Sequence, residues 1–404
     1  MSLWRSKRDV LTGACVLSLV FLVACGPTTR NSPTNEVSMG HQPVVNIGIL
    51  APSTGPVAQF GVPALNGKLL YINTFNQGDH DFTIAYHHFN ETGNPIEATL
   101  GYHALLDWGM HTLLGSVTSG ATLAVVPLAA ADNIPMMTAT ASAAAITRDP
   151  SSGQVHRHVF RTTFIDPFQG HVMASFAHQA LNASRVAVLY SHDIAYSTGL
   201  MNTFVSRSRA LGMEVVAVEY FEDGSVDFLS QLTNIAVAAP DVLFAPVYIQ
   251  HLALIGPQIV QAGLNTVLLG ADGWVGATTE LVETAGLEGS FFMAGFSAES
   301  DEPMVVDFVN RFEATYGDTP NMFAALGYDA AAILIAAIGS ALADGHAPDS
   351  DAFRASVIQH MGATNLHGVT GHMVFDAYNN PQKSAFISQI QAGEETLWGT
   401  FYAD

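Results

Sequence analysis

The stretch DVLFAPVYIQHLALIGPQIV, residues 241–260, predicts a strand and the helix that follows it. Its first seven residues form a nearly continuous apolar run, which is typical of a strand buried on both faces of a parallel sheet. Leu252, Ile255 and Ile259 then recur at spacings of three and four, the pattern of an amphipathic helix. A strand followed by such a helix is the repeating unit of an α/β protein.

The same alternation continues along the chain from residue 44 onward. The predicted strands are 44–50, 82–88, 111–117, 134–138, 185–190, 214–220, 241–247, 265–270 and 290–295. Two late helical runs, 303–316 and 324–343, precede a predicted hairpin whose turn is Asn379-Asn380-Pro381. Because about ten strands exceed one compact doubly wound sheet, we expect two α/β domains with parallel sheets.

The N-terminus carries the pattern of an export signal. Three basic residues within MSLWRSKRD, residues 1–9, precede the uncharged run 10–24, which is short for a membrane span and suits a signal peptide. The run ends in LVACG, residues 22–26, which resembles the processing site of bacterial lipoproteins. An ordinary signal peptide that contains a Cys is the alternative. We predict a signal peptide over 1–24 and a lipid on Cys25 that anchors the protein outside the cytoplasm, on a bacterial membrane.

The remaining composition narrows the possible functions. Cys15 and Cys25 are the two cysteines, so a processed chain has no pair for a disulfide or a Cys-based metal site. Residues 25–43 are polar and rich in Pro, Ser, Thr and Asn, which predicts a disordered tether after the lipidated Cys. The net charge of −21, with no Lys/Arg cluster past residue 8, argues against nucleic-acid binding.

The sequence lacks the motifs that would indicate an enzyme. It has no G-x-S-x-G, no G-x-x-x-x-G-K-[ST], no H-E-x-x-H and no G-x-G-x-x-G, and no Cys or His spacing of a zinc site. His87 and His88 are adjacent on a predicted strand, so they would point to opposite faces and could not chelate one ion together. We therefore predict a protein that is not an enzyme and needs no cofactor or metal.

Two short polar segments follow predicted strands and suit a bound carboxylate. Ser119 and Gly120 follow TLLGSV and open a predicted helix, and Thr140 and Ser142 make a second such turn after IPMM. Hydroxyl and N–H groups at a helix N-terminus, at the end of a parallel strand, favour an anion. For each Ser or Thr, a plain helix N-cap is the alternative.

The order of these segments resembles the branched-chain amino acid binding proteins of ABC transporters, the leucine/isoleucine/valine-type members of the type I periplasmic binding proteins. The resemblance covers nearly all of 44–404. It is carried by VVNIGILAPSTGPVAQFGVPALNGKLLYIN (44–73), LLGSVTSGATLAVVPLAAADNIPMMTATASAAAIT (113–147), LLGADGWVG (268–276) and NMFAALGYDAAAIL (321–334).

The resemblance implies two Rossmann-like lobes that are joined by three crossovers and hold the ligand in the cleft between them. We place the crossovers near 162–168, 294–298 and 368–374. Lobe 1 is then 44–164 plus 297–370, and lobe 2 is 165–296 plus 371–404.

The resemblance also implies a role for each candidate site residue. Ser119, Thr140 and Ser142 match positions that bind the α-carboxylate of an amino acid and share in holding its ammonium. The lobe 2 positions that hold the ammonium are matched by Tyr196, Tyr248 and Asp272. For Tyr248 the alternative is a packed aromatic at a helix start, and for Asp272 it is a turn residue. The ligand side chain would meet Phe60, Val117 and Trp274.

The implied function is solute capture. A lipid-anchored monomer would close by a hinge motion on one amino acid, branched-chain or otherwise apolar, and deliver it to an ABC permease and its ATPase. A ligand-sensing receptor of the same fold and a surface lipoprotein without a transport role are the alternatives.

Overall fold

The computed structural model of the chain describes residues 42–281 and 284–401. The predicted signal peptide, Cys25 and the tether up to residue 41 lie outside the described residues. The strands are β1 (Val44–Leu50), β2 (Thr83–Phe89), β3 (Thr112–Leu114), β4 (Met136–Thr138), β5 (Val159–Arg161), β6 (Arg185–Ser191), β7 (Glu214–Phe221), β8 (Val242–Phe244), β9 (Val267–Gly270), β10 (Phe291–Ala294), β11 (Asn365–Gly368), β12 (Gly371–Val374), β13 (Ala385–Gln391) and β14 (Glu394–Phe401). The helices are α1 (Ala58–Gln77), α2 (Pro95–Trp108), α3 (Ser119–Ala131), α4 (Asp166–Gln179), α5 (Ala195–Ala210), α6 (Leu229–Ala238), α7 (Ile249–Gln261), α8 (Ala277–Glu280), α9 (Pro303–Tyr316), α10 (Met322–Ala343) and α11 (Asp351–Gly362).

The first lobe is built on a five-stranded sheet in the order β2-β1-β3-β4-β5, in which every neighbouring pair is parallel. Val45, Ile47 and Ile49 of β1 are fully buried among residues of α1 and α10. Leu50 is also fully buried, but it packs among residues of α2 and α3. Helices therefore cover both faces of the sheet, which explains why the strands are apolar throughout.

The second lobe is built on a seven-stranded sheet in the order β14-β13-β10-β9-β8-β6-β7. The strands from β10 to β7 pair in parallel, whereas β13 runs antiparallel to β10 and pairs with β14 in a C-terminal hairpin. The predicted α/β fold with two lobes and parallel sheets is confirmed, and each strand predicted between residues 44 and 295 overlaps an observed one.

The third crossover lies later in the chain than we expected. β11 and β12 pair with each other across the Gly368–Gly371 turn, and the following segment stays with the first lobe. The Asn379 side chain donates to the Val159 carbonyl at 3.1 Å, and Asn380 accepts a hydrogen bond from Thr147 at 3.0 Å. The boundary at residue 371 was therefore wrong, since the chain enters lobe 2 only after Pro381.

The predicted hairpin around Asn379-Asn380-Pro381 forms only as a short turn. The Asp376 carboxylate accepts hydrogen bonds from the backbone N–H groups of Tyr378 and Asn380, so a local turn forms within the loop. The turn is closed by one isolated antiparallel bridge, Phe375–Pro381, and by the Gln382 N–H, which donates to the Val374 carbonyl at 3.3 Å, but β12 and β13 do not pair with each other. Each strand instead belongs to its own hairpin, β11–β12 or β13–β14.

Helix α10 is the central helix of lobe 1. It packs against α1 and α11, and Gly327 brings it so close to α1 that a Cβ at this position would lie 2.2 Å from the Ala64 carbonyl oxygen. Within the described ranges, α10 alone is long and apolar enough to cross a membrane, and 83% of its most apolar segment is buried inside the fold.

Candidate ligand-binding site

A cavity lies between the lobes, where strands of both sheets end. Its volume is about 20 Å³. The lining residues are Phe60, Val117, Thr118, Ser119, Thr140, Ser142 and Phe323 of lobe 1 and Tyr196, Tyr248, Asp272 and Gly273 of lobe 2. Both lobes thus contribute to one site, as expected for open α/β sheets that bind ligands beyond the carboxyl ends of their strands.

The lobe 1 half of the cavity contains the start of α3. Ser119 is the first residue of this helix, and the side chain of the preceding Thr118 does not cap it. The Ser119 hydroxyl instead accepts a hydrogen bond from the Ala143 N–H at 3.2 Å, while Thr140 donates to the Val117 carbonyl at 2.7 Å. Ser119 is therefore not a plain N-cap. The uncapped N–H groups of α3 and its dipole make this half of the cavity suitable for an anion.

The lobe 2 half of the cavity contains the carboxylate of Asp272, which begins a one-turn 3-10 helix directly after β9 and is 3% exposed. Its Oδ1 accepts hydrogen bonds from the Tyr196 hydroxyl at 2.8 Å and from Gln169 Nε2 at 3.1 Å. The Asp272 N–H donates to Gln169 Oε1 at 3.0 Å, so Gln169 holds both the backbone and the side chain. Burial raises the pKa of Asp272 to about 6, against the opposing effect of these hydrogen bonds.

Aromatic rings form the apolar wall of the cavity. Tyr196 and Tyr248 are stacked with ring centroids 4.8 Å apart, and Phe60 lies 5.3 Å from Tyr248 and 5.1 Å from Phe323. Burial raises the pKa of both tyrosines well above the usual value, so both phenols stay uncharged. The Tyr196 hydroxyl also accepts a hydrogen bond from the Gly273 N–H at 2.8 Å.

Seven of the nine predicted ligand-binding residues meet at this cavity, together with Val117. Trp274 does not, because its fully buried indole points into lobe 2 and donates to the Ala245 carbonyl at 3.0 Å. The 3-10 turn presents Asp272 and Gly273 to the cavity and directs the next side chain back toward the sheet. Gly120 does not line the cavity either, because it lies one residue beyond Ser119 along α3. It lines instead an outer cleft of about 600 Å³.

Six residues in or beside the cavity were not predicted as site residues from the sequence: Thr118, Gly273, Phe323, Gln169, Asp166 and Arg161. Phe323 lies at the start of α10, where the Asn321 side chain accepts hydrogen bonds from the N–H groups of Phe323 and Ala324. An Asn before an apolar run predicts a helix N-cap, but it does not predict that the Phe323 ring lines a cavity. Gln169, Asp166 and Arg161 belong to FRTTFIDPFQG, a segment whose acidic residue and Pro mark only a helix start.

Asp166 and Arg161 are buried polar groups beside the cavity. Asp166 is 1% exposed, and the Ser142 hydroxyl lies beside its carboxyl, although neither oxygen has a well-formed hydrogen bond in the part of the chain that the structure describes. The Arg161 guanidinium is directed elsewhere, because it donates to the carbonyls of Ala141 at 2.8 Å and Ala143 at 2.9 Å. Burial raises the pKa of Asp166 to about 8, and the nearby charge of Asp272 contributes to this rise.

The lobes also touch beside the cavity. The Gln59 side chain of α1 donates to Gln250 Oε1 of α7 at 3.3 Å, which links the two walls of the cleft. Among the residues described, no group of three or more His, Cys, Asp and Glu side chains could hold a metal ion. His87 packs against Trp108, whereas His88 contacts the Ala51 carbonyl, so the two histidines do face different neighbours.

Comparison with known proteins places these features in a family. Residues 44–395 match the sequence profile of the periplasmic binding proteins. A Leu/Ile/Val-binding protein homolog from Brucella melitensis is 25% identical over 272 residues, which cover 67% of this chain and 72% of the relative. The leucine-, isoleucine-, valine-, threonine- and alanine-binding protein of Pseudomonas aeruginosa is 24% identical over 335 residues, or 82% of this chain and 86% of the relative.

The fold has solved counterparts as well. The crystal structure of a leucine-binding protein from Thermotoga maritima superposes with a TM-score of 0.79 and 28% sequence identity, covering 88% of this chain and 98% of that chain. Since the profile match spans most of the chain and the two-lobed architecture agrees, the chain belongs to the periplasmic binding protein family.

Proposed function

We propose that this protein captures an amino acid, branched-chain or otherwise apolar, in the cavity between its lobes and delivers it to the permease of an ABC importer. The observation that carries the proposal is the pairing of an uncapped helix N-terminus at Ser119 with a buried carboxylate at Asp272 in one cavity. A free amino acid carries the two complementary charges, an α-carboxylate and an α-ammonium, on adjacent groups.

The carboxylate end of the ligand would lie against α3. Its oxygens would accept hydrogen bonds from N–H groups of the first turn and from the Ser119 hydroxyl, while the Thr140 oxygen, whose O–H donates to the Val117 carbonyl, would accept from the ligand ammonium. Thr118 Oγ1 also lines the cavity and has no partner among the described residues, so it is a further donor for this end. A buried anion needs several such donors because it loses its hydration shell in the cleft.

The ammonium end would face Asp272. Gln169 and Tyr196 orient this carboxylate before the ligand arrives, so little reorganisation is needed on binding. The aromatic wall of Phe60, Tyr248 and Phe323 would contact the ligand side chain. No cationic side chain lines the cavity as described, so we expect acidic amino acids to bind poorly.

Family membership supports the transport role, since the relatives from Brucella and Pseudomonas are named for binding leucine, isoleucine and valine. We further propose that Cys25 carries the lipid that keeps the protein, as a monomer, on the outer side of the membrane next to its permease. Mass spectrometry of the N-terminal peptide of the exported protein tests the lipid, and a peptide without lipid would contradict this part of the proposal.

Isothermal titration calorimetry with L-leucine, L-isoleucine and L-valine tests the site. We expect Asp272→Asn to weaken binding by about 2–4 kcal/mol, because it removes one partner of a buried charge pair. Asp193→Asn, at the rim of the outer cleft, is the matched control and should bind like the wild type. An unchanged affinity in Asp272→Asn would contradict the ammonium site.

A thermal-shift screen of the twenty amino acids without a hit would contradict amino acid capture altogether and favour a surface lipoprotein with another role.

A further inference from the structure

Asp166 is a buried carboxyl group that the proposed ligand contacts do not use. It is the first residue of α4, directly after the first crossover, and its side chain is 1% exposed. The Ser142 hydroxyl is the hydrogen-bonding group beside this carboxyl, and neither carboxyl oxygen has a well-formed hydrogen bond among the described residues. A charged carboxylate in such surroundings is costly, so the group needs either a proton or a cation close by.

The groups that face Asp166 come from several elements around the cavity. They are Ser142 after β4, Arg161 at the end of β5, Gly199 in α5, Tyr248 before α7 and Asp272 after β9. Arg161, the basic residue of this set, donates from its terminal nitrogens to the carbonyls of Ala141 and Ala143 and to the Thr147 hydroxyl, and Asp376 also acts on it. Tyr248 stays uncharged, with Asp223 as a further acidic neighbour.

The helix geometry brings Asp166 and Asp272 to the same side of the cavity. Asp166 and Gln169 are three positions apart on α4, so they share a helix face, and Gln169 is the residue that holds Asp272. Two buried carboxyl groups thus lie near each other, and the Arg161 guanidinium acts on Asp166 but also on Asp376. If both Asp166 and Asp272 were ionised, the cluster would carry uncompensated negative charge, which either a proton or a ligand ammonium can balance.

We propose that Asp166 is a proton site coupled to the ligand site: it holds a proton in the ligand-free protein and releases it to solvent when an ammonium group enters beside Asp272. This inference rests on the proposed function, because the ammonium is that of the captured amino acid. In the step, the O–H bond of the Asp166 carboxyl breaks, the proton goes to solvent, and the resulting carboxylate is balanced by the ligand cation. Asp166 is a positioning residue that acts through Ser142 and Tyr248, which line the cavity.

The electrostatics agree with this exchange. Burial raises the pKa of Asp166 to about 8 and that of Asp272 to about 6, so near neutral pH the proton resides on Asp166. An added positive charge favours the ionised carboxylate and lowers its pKa. By linkage, the affinity for the ligand should therefore rise with pH between about 6 and 8, by up to about tenfold per unit.

Calorimetry with L-leucine as the probe tests the coupling. The wild-type protein is titrated at pH 7 in phosphate and in Tris, two buffers with different heats of ionisation. We expect the heat of binding to differ between the buffers by the amount that corresponds to release of up to one proton. Asp166→Asn should bind L-leucine without this difference and with a flatter dependence of affinity on pH, whereas Asp193→Asn should keep both effects of the wild type.

A second measurement does not depend on the ligand. The infrared spectrum of the ligand-free wild type at pH 7 should contain the carbonyl band of a protonated carboxyl group that is missing in Asp166→Asn. Glu395, whose pKa burial raises to about 7, contributes to the same band, so the difference between the two proteins identifies Asp166. If Asp166→Asn fails to fold, loss of band intensity from the wild type on addition of L-leucine provides the same test.

The outcomes separate the two proposals. Leucine binding with equal heats in both buffers would overturn the proton coupling and leave the proposed function intact. A protonated Asp166 in a protein that binds no amino acid would overturn the proposed function, and with it the coupling. Proton release that persists in Asp166→Asn would assign the proton to another group and overturn the role of Asp166.

Discussion

Tyr196 shows at the scale of a single residue how the ligand site is prepared in advance. Its hydroxyl donates to Asp272 and accepts from the Gly273 N–H, so one group fixes the carboxylate and the turn that carries it. We expect Tyr196→Phe to keep the ring stack with Tyr248 but to weaken L-leucine binding by about 1–2 kcal/mol, since Asp272 loses a hydrogen bond that favours its charged form. Calorimetry measures the effect, and Tyr220→Phe on the exposed face of β7 is the control. Wild-type affinity in Tyr196→Phe would contradict this role.

The buried carboxyl groups also make stability depend on pH at this scale. The pKa of Asp166 rises from 3.8 to about 8 in the folded chain, so its contribution to stability is complete below pH 3.8 and is lost as the pH approaches about 8. Asp272 acts in the same direction up to pH 6. Thermal unfolding of the ligand-free protein should therefore move to lower temperature from pH 5 to pH 8, and less so in Asp166→Asn. A dependence of equal steepness in both proteins would contradict the assignment.

At the scale of the elements, the contact between α1 and α10 depends on the absence of side chains. A Cβ on Gly67 would lie 1.9 Å from the Ala324 carbonyl oxygen, and one on Gly327 would lie 2.2 Å from that of Ala64. We expect Gly327→Ala to destabilise the protein by about 1–3 kcal/mol in urea unfolding, because the helices must move apart. Gly256→Ala in α7, where the nearest atom to an added Cβ is 3.6 Å away, is the control. It should be neutral or stabilising by up to about 1 kcal/mol, since Ala is the better helix former. Equal stability of both variants would contradict the close packing.

The elements also show how far the sequence could be read. Between residues 44 and 295 the apolar runs predicted the strands of both sheets except β5, because burial on two faces leaves a continuous signal and β5 has only three residues. The hairpin β11–β12 was missed because strands of four residues carry no period, and its glycine turn resembles an ordinary loop. Trp274 was predicted to line the cavity but does not, for a different reason. The one-turn helix at 272–274 sets the direction of each side chain, and no pattern in LLGADGWVG predicts that direction. Asp166 was not assigned a role because its importance lies in contacts with residues distant in sequence.

At the scale of the whole molecule, each lobe provides half of the site, so a ligand that engages both halves must favour the closed arrangement. Gln59 and Gln250 join the lobes at the rim of the cleft. We expect Gln250→Ala to reduce L-leucine affinity by up to about tenfold, because a lost hydrogen bond of about 1 kcal/mol lowers the population of the closed, binding-competent form. Small-angle X-ray scattering of the ligand-free variant should give a larger radius of gyration than that of the wild type, and saturating L-leucine should bring the two together. Gln258→Ala, whose side chain bonds within lobe 2, is the control and should not change the radius. If the ligand-free wild type and Gln250→Ala scatter identically and bind L-leucine equally well, the prediction is contradicted. The Gln59–Gln250 contact would then form as a result of closure and would not stabilise the closed form.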